Sequence, residues 1–229
     1  MSESMLSHSL SLIFDLDGTL IDSRPGIASS LQMALSDAGQ DLVMASTDVP
    51  VGPPLVDLIK LITGSDDRVF ISFIEQRFRF HYDSSGYKQS QLFVGVYKLL
   101  ESLYSCSVSL YIATNKRLKP TLRILDSLSI AHFFKDVYAV DSCEEGYQSK
   151  SKMLKALLSH HSVKEHAVYI GDRYDDFDAA TENSLAFRFP AWGYANEHYL
   201  FPVTVTGVDL CPSDRIGDLL FDLTLPGKI

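Results

Sequence analysis

The chain has 229 residues, long for one average domain of ~150 residues and short for two, which suits a core domain carrying a smaller insertion. It is 46% hydrophobic and 21% charged with no low-complexity tract, so it should fold throughout, and its net charge of −9 argues against nucleic acid as a partner. Three cysteines, Cys106, Cys143 and Cys211, stand far apart and in no CxxC spacing, which argues against a disulfide framework or a cysteine zinc site. The first residues, MSESMLSHSL, lack a basic start and a long apolar run, and no stretch approaches ~18 consecutive apolar residues. Neither an export signal nor a membrane span is expected, and a reducing cytoplasm is the expected location.

In chain order, the first short apolar run is Leu10 to Phe14, read as a buried strand. The next strand-like run begins only at Val108, and the gap from about Asp22 to Phe93 far exceeds the ~12 residues a simple crossover requires. Its pattern is helical. Ile27, Leu31, Ala34, Leu35 and Ala38 share one face, with Pro25 suited to a first turn and Gly39 to a stop. Pro53 and Pro54 open a second helix that Gly64 closes. A third runs from Asp66 to Tyr82, with Val69, Phe70, Phe73, Ile74 and Phe78 as its apolar stripe. Residues 22–89 are therefore expected to form a helical cap inserted into a core made of 1–21 and 90–229.

Beyond the insertion, strand-like runs at Val108–Ala113, Val137–Val140, Ala167–Ile170, Leu185–Phe189 and Val203–Val205 alternate with helix-like segments at Val94–Tyr104, Leu118–Leu128, Ser151–His160 and Asp214–Leu223. Such alternation implies an α/β fold with a doubly wound parallel sheet, a Rossmann-like core.

Three of these strands end in reactive side chains: LIFDLDGT at Asp15 and Asp17, LYIATNK at Thr114, and VYIGDRYDD at Asp172 and Asp176. In open parallel sheets the ligand crevice lies at the carboxyl ends of the strands, so all three clusters should converge on one crevice. Any one of them alone reads as loop or cap chemistry; three at equivalent ends do not. Crowded carboxylates repel one another and raise each other's pKa unless a cation joins them, and a hard oxygen-binding ion, magnesium foremost, suits such a set.

With DxDGT, a strand ending in Thr, a Lys and GDxxxD in that order, the sequence resembles the haloacid dehalogenase superfamily over almost its whole length. VGPPL at Val51 to Leu55 and WGYA at Trp192 to Ala195 look most like its phosphoglycolate-phosphatase-like and nucleotidase-like members. The resemblance implies a phosphomonoester hydrolase acting on a small phosphorylated metabolite, with Asp15 as nucleophile and Asp17 as acid and base. It assigns Asp15, the backbone carbonyl of Asp17, and Asp172 as magnesium ligands, with Asp176 close behind or reaching through water. By the family spacing Asp176 is preferred to Asp175, though either could cap the helix that follows.

By the same resemblance Thr114 donates its hydroxyl to the phosphate, and Gly18, Thr19 and Asn115 belong to the phosphate-cradling loops. The family's lysine is Lys150 or Lys152 of SKSKML, with the spacing to the following helix favouring Lys150. The KPxP form of many phosphoglycolate phosphatases is absent, and Arg173 stands where many members carry Ser or Thr. Arg79, with Arg77 in EQRFRFHYD, is a candidate anion-holding residue of the cap, against the alternative of an amphipathic solvated edge. Lys116 and Arg117 share that ambiguity. The histidines, including the adjacent His160 and His161, show no metal spacing and are read as surface or core residues. The competing readings are a phosphomutase and a receiver-like phosphoacceptor; the latter would carry its acceptor after a later strand and no helical insertion after the first.

Overall fold

The computed structural model describes residues 10–42, 44–163, 167–190, 192, 194 and 212–213. The chain divides into two compact units, one of residues 1–20, 94–118 and 132–229 and the other of residues 21–93 and 119–131.

The first unit is built on a parallel sheet. Strands β1 (Ser11–Phe14), β4 (Ser109–Thr114), β5 (Phe134–Ala139), β6 (Ala167–Ile170), β7 (Ala186–Pro190) and β8 (Pro212–Ser213) lie in the order β5-β4-β1-β6-β7-β8. Every pairing is parallel. β1, β4 and β6 are buried at every position, as expected of parallel strands covered on both faces. The chain winds from β1 outward through β4 to β5, then crosses to β6 on the opposite side of β1 and continues to β7 and β8. β1 is thus the point where the winding reverses, the position at which such sheets open a ligand crevice.

Helices α4 (Val96–Ser105), α6 (Lys150–His161) and α7 (Tyr174–Glu182) belong to this unit. α6 buries Met153, Leu154, Leu157 and Leu158, an i, i+1, i+4, i+5 stripe, in a core shared with Ile13, Tyr111, Tyr169, Phe177 and Phe187. β5 starts at Phe134, three residues earlier than the apolar run suggested, because its first half is only partly buried and so reads as polar. The expected strand Val203–Val205 and helix Asp214–Leu223 lie outside the described residues.

The second unit is helical: α1 (Arg24–Asp37), α2 (Leu55–Thr63) and α3 (Arg68–Ser84), with most of α5 (Leu118–Ser127). Pro25 occupies the first turn of α1, and α2 ends at Gly64, whose φ of 65° lets its N–H reach the Lys60 carbonyl at 2.8 Å. Asp67 caps α3 by accepting from the Val69 and Phe70 amides at 2.8 and 3.4 Å. The buried face of α3 is Ile71, Ile74, Phe78 and Tyr82: of the expected stripe Ile74 and Phe78 are buried and Phe70 packs partly buried beside them, whereas Val69 and Phe73 are 80% and 41% exposed. At 100° per residue Val69 and Phe73 each lie about 200° from Ile71, so only one of the two apolar faces of this aromatic-rich helix packs on α1. The unit's entry and exit form an antiparallel ribbon, β2 (Ile21–Asp22) with β3 (Gln91–Leu92), pairing Ile21 with Leu92 and Asp22 with Gln91. Among the described residues no helix is long and apolar enough to cross a membrane.

Candidate active site

Sheet register assembles the site. β1 pairs Phe14 with Ile112 of β4 and with Ile170 of β6. One step further Asp15 is level with Ala113 and Gly171, and the next step brings Thr114 and Asp172. With strands ~4.8 Å apart and ~3.3 Å per residue, three residues far apart in sequence are gathered at one edge. The Asp15 amide donates to the Ile170 carbonyl at 2.8 Å, extending the ladder by one rung and fixing the side chain at the end of the central strand.

Asp15 is 3% exposed, and Asp172 and Asp176 are wholly buried. Lys150 Nζ donates to Asp15 Oδ1 at 3.0 Å and also to Asp176 Oδ1. It opens α6, and the stripe that buries Leu154 and Leu157 also turns Lys150 inward. Lys152 lies two residues round the helix, where its ammonium bonds Gln148 at 2.6 Å. Asp176 accepts in addition from the Tyr169 hydroxyl at 2.9 Å and the Arg173 amide at 3.0 Å, whereas Asp175 pairs with Arg173 Nε at 2.9 Å and accepts from Asn115 Nδ2 at 3.2 Å.

Burial pushes the Asp15 carboxyl up to about 7; the nearby Lys150 pulls it down, and Asp176 and Asp17 push it further up. Asp172 is raised well above the carboxylate range, by burial first and then by Asp176 and Asp15. Burial disfavours the Lys150 ammonium, but the charges of Asp15 and Asp176 outweigh it and raise its pKa.

The loop after β1 closes tightly on Asp172. Gly18 has φ 86°, and a Cβ there would lie 2.3 Å from Asp172 Oδ2, so only glycine fits. Thr19 Oγ1 donates to Asp172 Oδ1 at 3.2 Å, and Trp192 Nε1 donates to the Thr19 carbonyl at 3.0 Å, tying the WGYA segment to this loop. Gly193 and Ala195 of that segment lie outside the described residues. Thr114 is buried, its hydroxyl accepting from the Lys116 amide at 3.2 Å. Lys116 Nζ meets both oxygens of Asp17, at 3.0 and 3.2 Å. The sequence left Lys116 ambiguous because nothing local ties it to a residue 99 positions away. Arg79 belongs to the helical unit, where it pairs with Glu75 on an exposed face of α3.

The donor set fits a hard divalent cation. Asp15, Asp172 and Asp176 each offer an oxygen within 4.8 Å of the others, and Asp172 Oδ2 is buried without a hydrogen-bond partner. With Asp17, four carboxylates face two ammonium groups, Lys150 and Lys116. Two negative charges are left over in a buried site, which a divalent ion would balance.

A family model for haloacid dehalogenase-like hydrolases matches residues 12–187. A 5'-nucleotidase from Pseudomonas aeruginosa is 32% identical over 193 residues, 82% of this chain and 86% of that protein. The tyrosine-protein kinase PtkA of Mycobacterium tuberculosis is 31% identical over 202 residues, 86% of this chain and 67% of that one. The solved structure of a haloacid dehalogenase-like hydrolase from Streptococcus pneumoniae superposes with a TM-score of 0.78 at 27% identity, covering 94% of this chain and 99% of its own. The order of motifs along the strands, the inserted helical unit and these likenesses agree: the chain belongs to the haloacid dehalogenase-like hydrolase family, among its phosphatases.

Proposed function

We propose that the protein hydrolyses a small phosphorylated metabolite, of the phosphoglycolate or nucleoside monophosphate type, with magnesium and through a phosphoryl group carried on Asp15. The observation that carries this reading is the placement of Asp15 at the end of the central strand, with Lys150 on its carboxylate and Asp17 two residues on. Both a nucleotidase and a kinase among the relatives are named for phosphoryl chemistry.

In the first step an Asp15 oxygen attacks phosphorus while Asp17 protonates the departing ester oxygen, and the bond from phosphorus to that oxygen breaks. In the second, Asp17 takes a proton from water, the water oxygen attacks phosphorus, and the bond to Asp15 breaks to release inorganic phosphate. Lys116 Nζ, on both Asp17 oxygens, holds that side chain in place. Lys150 and the Thr114 hydroxyl hold the phosphate oxygens, with the Gly18, Thr19 and Asn115 loops around them. Asp15, the Asp17 carbonyl, Asp172 and Asp176 would hold the magnesium ion, which offsets negative charge as an anionic nucleophile approaches an anionic ester. Residues 22–89 would act as the cap that selects the substrate, with Arg79 as a candidate contact.

The test is phosphate release with magnesium across phosphoglycolate, nucleoside monophosphates and sugar phosphates. Release from the first two classes, lost in Asp15→Asn, supports the proposal. Transfer of the phosphoryl group to a sugar hydroxyl without free phosphate would replace it with a mutase.

A further inference from the structure

Adjacent histidines with no nearby ligand partner in sequence carry no metal signature, but the fold supplies a partner. β5 is the edge strand of the sheet, and it places Asp136 beside the C-terminal end of α6, where His160 and His161 stand. One ligand atom from each of the three lies within 4.8 Å of the others. We propose that Asp136, His160 and His161 form a second cation site on the α/β unit, suited to a borderline divalent transition metal of the zinc class.

The three groups are held for this. Asp136 Oδ1 accepts from the Val137 amide at 2.8 Å, leaving Oδ2 turned to His161 Nε2 at 3.0 Å. The Tyr138 hydroxyl meets His160 Nδ1 at 2.7 Å, which orients that ring, and a hydrogen bond at one ring nitrogen is the arrangement that prepares the other for a metal. The His161 ring rests on Tyr111, with centroids 4.7 Å apart, and on His160 at 4.6 Å. Ligands on a zinc ion with bonds of ~2.1 Å lie ~3.4 Å apart, so the Asp136–His161 pair, at 3.0 Å, would open by only ~0.4 Å as it exchanged its hydrogen bond for the metal. His160 is exposed, so water can reach the site to complete the coordination.

Charge and donor type choose the metal. Imidazole nitrogens favour zinc, nickel or copper over magnesium, which separates this site chemically from the all-oxygen set of Asp15, Asp172 and Asp176. A cation here also sits at the C-terminal end of α6, where the helix dipole favours positive charge. The site would clamp α6 to β5 at the end of the helix opposite Lys150.

The test titrates the full chain with zinc chloride in saturating magnesium, following the ring nitrogens of its seven histidines by NMR. The signals of His160 and His161 should shift and saturate near one equivalent. Those of His81, which meets Asp37 in a like pair at 2.7 Å but without a second imidazole in the same cluster, should not. Asp136→Asn and His161→Gln should each weaken zinc binding by roughly tenfold or more. His160→Gln, at an exposed position, carries the same expectation should the change against Tyr111 impair folding. Unmoved His160 and His161 signals at excess zinc, or unchanged affinity in both Asp136→Asn and His160→Gln, would overturn the site and leave the cluster a hydrogen-bonded aromatic packing.

Discussion

Asp15 and Asp17 are two residues apart on one loop, yet one is buried against Lys150 and the other is paired with Lys116 nearer the surface. Their proposed roles separate by leaving group. Asp15→Asn should abolish turnover of every ester, whereas Asp17→Asn should be slow on an alkyl phosphate but retain part of its first step on nitrophenyl phosphate, whose leaving group needs no proton. Rapid mixing should then show a burst of nitrophenolate approaching one equivalent per site, followed by slow turnover. Equal losses on both esters with no burst would remove Asp17 from the acid role. A second consequence follows from burial, which lifts Asp15 from its ordinary 3.8 to about 7. A carboxyl that holds its proton more tightly when folded contributes stability that is full below its unfolded pKa and is lost as pH rises through its folded one. With magnesium chelated, Tm should therefore fall between about pH 4 and about pH 7, and excess magnesium should recover most of the loss at the upper end. Asp15→Asn should make the chelated profile shallower, with Asp172, also raised by burial, keeping a remaining fall; calorimetry across that range checks both.

Among the elements, α3 shows how a helix rich in apolar residues chooses its buried face. Ile74 is fully buried with Leu31 and Leu35 of α1, while Val69 on the other side is exposed. Ile74→Ala should cost about 2–5 kcal/mol, and Val69→Ala should stay within about 0.5 kcal/mol, read by denaturant unfolding. Equal effects would mean that the helix packs on the other face. The sequence pattern placed α3 at Asp66 to Tyr82 against the observed Arg68–Ser84, because helix propensity is local. It blurred the face, because Val69, Phe73 and Phe80 offer a second apolar surface, which is exposed. In α6 the sequence pattern began the helix at Ser151 and preferred Lys150 to Lys152 only by the family spacing; the helix in fact starts at Lys150, which shares the buried face of Leu154 and Leu157.

At the scale of the whole chain, the helical insertion is entered and left through the β2–β3 ribbon, where Asp22 pairs with Gln91, two residues past the insertion's end, so its two ends lie close together. Residues 22–89 can accordingly be replaced by a short linker without stretching the core strands. The shortened protein should keep measurable hydrolysis of a simple aryl phosphate and lose discrimination among metabolite esters, if the insertion selects substrate as proposed. A folded deletion variant that ranks phosphoglycolate, sugar phosphates and nucleotides as the full chain does would deny the insertion that role.

Sequence alone determined that the runs at β1, β4 and β6 become buried strands, because burial on both faces demands continuous apolar runs and the motif residues sit at fixed offsets from them. Asp15, Thr114 and Asp172 were therefore legible, as was the presence of a helical insertion, from its length. The tertiary structure decided who meets whom. Lys116 reaches Asp17 across 99 residues, and Asp136 reaches His161 across 25, through strand order and register that no local periodicity encodes. It also turned Asp176 inward to Lys150 and Tyr169 while Asp175, one residue away, faces Arg173 and Asn115. On a helix that single step is a 100° rotation, and only the packing of α7 sets where the rotation starts.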